Sequence, residues 1–371
     1  MTRNPARPLA GRRVRWGGVA WAACLAATAV ATGEVSYPSI TPDQRIDLPT
    51  DHGSHPAYRT EWWYATGWLE TAGGEPLGFQ VTFFRTRPDV PQDNPSAFAP
   101  RQLIIAHAAL SDPSLGRLRH DQRIARASHG LAGASVGDTR VWIQDWRLER
   151  QGDRYLATIP AKDFTLELDM RVTQPPMANG RDGYSQKGRE PGSASLYYSL
   201  PHLAVTGRMV RDGDTEAVRG TAWLDHEWST ALLDDSAAGW DWVGINLDDG
   251  GALMAFRMRD LEGGALWSAG THRGPGGETR HFGPDEVSFS PTRRWRSLRT
   301  GTEYPVGFRI RVGPLAYDIE PLIDDQESDS RQTTGAVYWE GAVRAYRGGA
   351  PAGRGYLELT GYGERLRLPG E

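Results

Sequence analysis

An all-β protein of two barrel- or sandwich-like units in tandem is expected from this sequence, on three observations. Apolar and polar residues alternate with a period of two: Phe164, Leu166, Leu168, Met170 and Val172 interleave with Thr165, Glu167, Asp169 and Arg171. Turn signals punctuate such runs, at Gly73-Gly74, Asp212-Gly213-Asp214, Asp248-Asp249-Gly250-Gly251, Gly276-Gly277 and Gly348-Gly349. No amphipathic pattern of helical period continues beyond two turns, which leaves many antiparallel strands to be packed face to face or closed into barrels.

In chain order, residues 1–31 read as an export signal. Arg3, Arg7, Arg12, Arg13 and Arg15 precede an apolar, small-residue stretch over 16–31 that ends on the A-x-A pattern Ala29-Val30-Ala31. The Arg12-Arg13 pair points to the twin-arginine route. An uncleaved anchor is the alternative, but the apolar run falls short of the ~20 residues a spanning helix needs. A periplasmic or secreted location is therefore expected. The one cysteine, Cys24, lies inside the leader, with Trp21 where a lipoprotein signal has leucine, so the cleaved chain would have neither disulfide nor thiol.

Residues 32–58 are polar and proline-rich and read as an N-terminal arm. The first β-unit is expected over 59–233, with strands near 77–84, 103–110, 141–148, 196–209 and 218–228. The second is expected over 234–371, with strands near 240–247, 252–258, 306–312, 337–345 and 356–362. Residues 182–193 look like a mobile loop, and 232–238 like the joint between the units.

Composition narrows the function. A length of 371 residues accommodates two domains, and the net charge of −4, more acidic once the arginine-rich leader is gone, is wrong for a nucleic-acid binder. No GxGxxG, P-loop or βαβ rhythm is present, so no cofactor is expected.

Two segments concentrate aromatic and ionisable side chains. In 59–67, Glu61 and Trp63 share one face of a strand and Trp62 and Tyr64 the other. In 220–229, Asp225 and Glu227 share a face opposite His226 and Trp228; Trp240 and Trp242 follow on a common face. A carboxyl or imidazole among tryptophans must be paired or must shift its pKa, which is where proton-transfer groups are found. Glu61, Asp225 and Glu227 are the candidate acids and His226 the candidate base or water-orienting group. The structural alternative is that each is simply paired. Adjacent strand residues point apart, so Asp225-His226-Glu227 cannot converge on one ion, and no metal site is expected. No G-x-S-x-G elbow supports a serine hydrolase. His107 and His202 lie in apolar strands and read as satisfied core histidines.

Glu61-Trp62-Trp63-Tyr64, Gly78-Phe79-Gln80, Tyr197-Tyr198-Ser199, Asp225-His226-Glu227-Trp228 with Trp240-Asp241-Trp242, and Gly355–Tyr362 resemble the family of AttH-like proteins and carotenoid 1,2-hydratases. The resemblance implies two lipocalin-like β-barrel or sandwich domains with a cofactor-free pocket for an apolar ligand near their junction. Trp62, Trp63, Tyr64, Tyr198, Trp228, Trp240 and Trp242 would line it. It also implies a His-x-Trp pair, matching His226 and Trp228, and a Tyr-x-Asp pair that the 252–257 region lacks, so the acid would fall to Glu61, Asp225 or Glu227. The expected function is binding of a lipid or isoprenoid ligand, with cofactor-free acid catalysis of hydratase or hydrolase type. The alternative is a non-catalytic lipid carrier or an accessory to an envelope ABC transporter.

Overall fold

The computed structural model describes residues 1–2 and 35–366 except 92 and 97. The expected leader from residue 3 onward, its cleavage pattern and Cys24 lie outside the described residues. Among the described residues the chain forms two sheets of antiparallel ladders, and the only helical turns are at Thr50–His52 and Pro284–Glu286.

The first sheet has 13 strands. At its centre Thr60–Thr71 lies between Pro76–Thr86 and Asp214–Ala231, and the latter pairs with Ala194–Arg211. The sheet curls until its far ends, Arg117–Arg126 and Ala132–Ala134, approach one another, giving a nearly closed barrel. The second sheet has 10 strands, with Gly239–Leu247 at its centre between Ala252–Arg259 and Ala350–Leu359, which in turn pairs with Ala336–Arg347. The chain passes from one sheet to the other between Ala231 and Gly239. The all-β class expected from the residues, and the lipocalin-like form implied by the resemblance, are observed.

Three apolar clusters hold these sheets. Along Thr60–Thr71 the odd-numbered side chains Trp63, Ala65 and Leu69 enter the core of the first barrel with Phe79, Phe83, Trp146 and Trp228. Val243, Tyr304, Phe308 and Trp339 belong to the core of the second sheet. The even-numbered Tyr64 and Trp68 join a third cluster with Tyr197 and Trp223, facing Trp242, Met254, Phe256 and Tyr356 of the second sheet. The central strands are thus buried on both faces, which explains their nearly unbroken apolar character. A buried tryptophan usually finds an acceptor for its N–H, and Trp68 Nε1 donates across the sheets to the Gly355 carbonyl at 3.0 Å. Gly78 lets the sheets approach: a Cβ there would stand 2.5 Å from the Ala342 Cβ.

One local expectation is corrected. Residues 182–193 are not a mobile loop throughout: Tyr184–Gln186 pairs with Ala194, Ser195 and Leu196, and Lys187 is buried, while residues 188–193 carry no strand. Part of the N-terminal arm packs into the first barrel. Ile40 is buried in the first core, and Asp51 to His55 enter a polar cluster inside the first barrel.

Candidate functional site

Alternation along the central strands sends the chemistry-bearing residues into two separate chambers. The first is a cavity of about 110 Å³ between the sheets, walled by Trp62, Tyr64 and Phe84 on one side and Trp240, Trp242 and Phe256 on the other. Four carboxyl groups line it: Asp225, Glu227, Glu340 and Glu358.

Asp225 is the direct cross-strand partner of Tyr64. Its carboxyl accepts hydrogen bonds from Tyr197 Oη at 2.7 Å, Ser199 Oγ at 2.6 Å and Trp223 Nε1 at 2.6 Å. Burial pushes it up to about 7 against the pull of those donors, and nearby Glu227 adds to the rise. Glu227 is tied to Lys187 Nζ at 2.8 Å and to the Ser195 hydroxyl. The lysine ammonium also rests on the Phe256 ring, 4.1 Å from its centroid.

Glu340 and Glu358 are direct cross-strand partners on the second sheet. Glu358 accepts from Trp240 Nε1 at 3.0 Å. Burial pushes both carboxyls up, and for Glu340 the neighbouring Glu358 charge pushes further, with Tyr64 and Tyr338 opposing. His107 also lines the cavity, between Tyr338 Oη and Thr333 Oγ1, both at 2.8 Å. Burial pushes its imidazole down to about 3, so it is neutral at ordinary pH. His202, whose Nε2 lies 2.7 Å from the Gly251 carbonyl oxygen, is not in the cavity wall.

The second chamber is the interior of the first barrel, and here the convergence expected of the site residues fails. Glu61, Trp63, Tyr198, His226 and Trp228 all point into it and not into the cavity between the sheets. The reason is the period of two: they occupy the faces opposite Trp62, Tyr64, Asp225 and Glu227. Glu61 is fully buried and accepts hydrogen bonds from Arg85 Nε at 2.7 Å, His226 Nε2 at 3.0 Å, Ser54 Oγ at 2.9 Å and His55 Nδ1 at 2.8 Å. Burial works to raise its pKa, but Arg85 and then the two histidines hold it well below the usual range. Glu61 is an anion, not a proton donor. His226 is lowered by burial, with Glu61 opposing.

His55, Glu61 and His226 place their ligand atoms within 4.8 Å of one another, a set that could hold a metal ion. Sequence spacing could not show it, because the members come from the arm and two distant strands. The cluster is already balanced without an ion. Arg85 offsets Glu61, while burial resists protonation of His55 but hydrogen bonds and charge from Asp51 and Glu61 raise it.

Sequence reasoning missed Glu340, Glu358 and Lys187. The signal was present for the first two: Tyr338-Trp339-Glu340 and Tyr356-Leu357-Glu358 each put an acid two residues from a tyrosine, on one strand face. Lys187 lay in a glycine-rich stretch that gave no strand pattern.

Comparison with known proteins completes the description. The family model described as AttH-like matches residues 39–362. The chain is similar to a candidate AttH protein from Nitrosomonas europaea, whose crystal structure superposes with a TM-score of 0.83 at 52% identity, covering 88% of this chain and 99% of that one. Kievitone hydratase of Nectria haematococca shares the fold at 14% identity, with a TM-score of 0.66 and coverage of 89% and 96%. No curated protein matches the sequence.

Proposed function

The chain belongs to the AttH-like family, and we propose that it binds an apolar, lipid- or isoprenoid-like molecule between its two sheets and adds water to, or removes it from, a carbon–carbon double bond there. The observation that carries this reading is the Asp225 carboxyl, pushed up to about 7 beside a tryptophan-walled cavity. A general acid works best when its pKa lies near the working pH. The fold shared with kievitone hydratase is an analogy at the level of architecture; the residues carry the argument.

In the hydration direction, the Asp225 carboxyl gives its proton to one alkene carbon and becomes a carboxylate. The adjacent carbon becomes cationic and faces the rings of Trp62, Trp240 and Trp242, whose π-electrons favour positive charge. Water adds to that carbon, and the proton it releases returns to Asp225. Tyr197, Ser199 and Trp223 hold the carboxylate between the two steps. The basic-then-apolar start of the sequence supports action outside the cytoplasm.

Mass spectrometry of small molecules extracted from the purified protein, and of the same molecules after incubation with wild type and Asp225→Asn, tests the reading. A mass change of one water with wild type and none with the variant is the expected result. A retained ligand that never changes mass in either protein would make the chain a carrier and overturn the catalytic assignment.

A further inference from the structure

We propose that the Tyr64 hydroxyl and the Glu340 carboxyl form a subsite for a carbonyl or phenolate oxygen, so that the ligand is not a bare hydrocarbon but carries an oxygen acceptor beside Asp225. The proposal rests on the cavity between the sheets being the ligand site and specifies what the ligand must bring to it.

The two groups stand out by what they lack. Among the described residues, the polar side-chain atoms that are both buried without a hydrogen-bond partner and on the cavity wall are Tyr64 Oη and Glu340 Oε1. Their residues are 6% and 4% exposed. The neighbouring polar groups are all engaged: Asp225 by three donors, Glu227 by Lys187 and Ser195, Glu358 by Trp240, and His107 by Tyr338 and Thr333. A buried polar group left unpaired costs about 1–3 kcal/mol. Two such groups at one place, one from each sheet, mark a position at which a ligand atom completes the network.

Protonation decides the class of that atom. Burial, with the charges of Glu340 and Glu358, raises Tyr64 well above the usual tyrosine range, and burial with Glu358 raises Glu340 well above the usual carboxyl range. Both shifts favour the protonated forms, which carry O–H donors, and the two side chains lie within reach of one another, so that a ligand oxygen would seat between them. Two neutral donors converging in an apolar chamber suit an oxygen that bears partial or full negative charge; a tyrosine beside a carboxyl kept neutral by its surroundings is a known way to build such a site. Because Tyr64 is the cross-strand partner of Asp225, an oxygen seated on Tyr64 places the adjoining carbons near the titrating acid.

The test uses the full chain and two probes of the same shape, the ketone α-tetralone and its hydrocarbon tetralin. Tryptophan fluorescence reads affinity, and infrared spectroscopy reads the carbonyl stretch of the bound ketone. Wild type should prefer the ketone by about tenfold or more, the value of one to two neutral hydrogen bonds, and should shift the stretch to lower frequency. Tyr64→Phe and Glu340→Gln should each narrow the preference, and Tyr64→Phe should return the stretch toward its free value without lowering the melting temperature of the unliganded protein. Equal binding of ketone and hydrocarbon by wild type, or a preference undiminished in both variants, overturns the oxygen subsite and leaves the cavity reading standing. Failure of both probes to bind wild type overturns the cavity as a ligand site and the subsite with it.

Discussion

Tyr64 and Asp225 face one another across two neighbouring strands and both enter the cavity between the sheets, whereas Trp63 and His226, the next cross-strand pair on the same strands, enter the first barrel and stack at 4.8 Å. One residue step thus separates a candidate reaction chamber from a structural core.

If Asp225 is the proton donor, Asp225→Asn lowers turnover by about 10²–10⁴-fold while ligand affinity changes little. The wild-type rate in the direction that consumes the carboxyl proton should fall as pH rises through about 7. Initial rates across a pH series, with binding measured on the same samples, check both statements. A rate that stays flat through neutrality would remove Asp225 from the role.

Stability should respond to Asp225 in the opposite sense to an ordinary ion-paired acid. Its folded pKa, about 7, lies above the value of about 3.9 usual for an aspartate in an unfolded chain, so between those values the unfolded chain holds fewer protons than the folded one. The resulting penalty is absent below the lower value, grows as pH rises and is complete above the upper. Asp225→Asn should therefore stabilise the fold more at pH 8 than at pH 4, by a few kcal/mol at most. Urea unfolding at the two pH values measures the difference.

Glu61 predicts the reverse. Its carboxyl is held well below the usual range by Arg85, His226 and His55, so its contribution is present above the unfolded pKa and is lost as pH falls through the folded one. Glu61→Gln leaves the buried Arg85 charge without its anionic partner and should cost about 3–5 kcal/mol. Ligand affinity in the separate cavity should hold in the fraction that remains folded. Denaturation curves together with binding titrations separate the two effects.

Lys187 and Glu227 form a buried pair. Lys187→Met alone and Glu227→Gln alone should each destabilise the protein, because each strands a partner. The double variant should be more stable than the sum of the single losses implies. A thermodynamic cycle with no coupling between the two changes would mean that the pair adds nothing to the fold.

Close contact of the sheets at Gly78 yields the last prediction. An alanine methyl there would meet the Ala342 Cβ at 2.5 Å and the Tyr356 Oη at 2.9 Å. Gly78→Ala should cost about 1–3 kcal/mol through overpacking and loosen the contact between the sheets. Hydrogen exchange along Ala336–Arg347 and Ala350–Leu359 would report the loosening.

Much of this architecture was legible in the residues. Alternation marks the strands, turn signals mark their ends, and the opposed faces of Glu61-Trp62-Trp63-Tyr64 and Asp225-His226-Glu227-Trp228 follow from the sequence alone. These features are local: a side chain's face follows from its parity along a strand. Less legible were strands such as Arg117–Arg126, whose charged residues are only half buried at the end of the first sheet and hide the alternation.

Which faces share a chamber was not local information. Parity separates Glu61 from Tyr64, but it does not say that Tyr64 meets Glu340, some 280 residues further on, or that the arm brings His55 to Glu61. Those meetings depend on how two curled sheets pack against each other and how the arm fills one of them. The surroundings in the assembled fold, not position in the chain, then hold the Glu61 carboxyl low through Arg85 and the histidines against the pull of burial, and push the Glu340 carboxyl up through burial and Glu358, because the cost of removing a charge from water is set by every element that surrounds it.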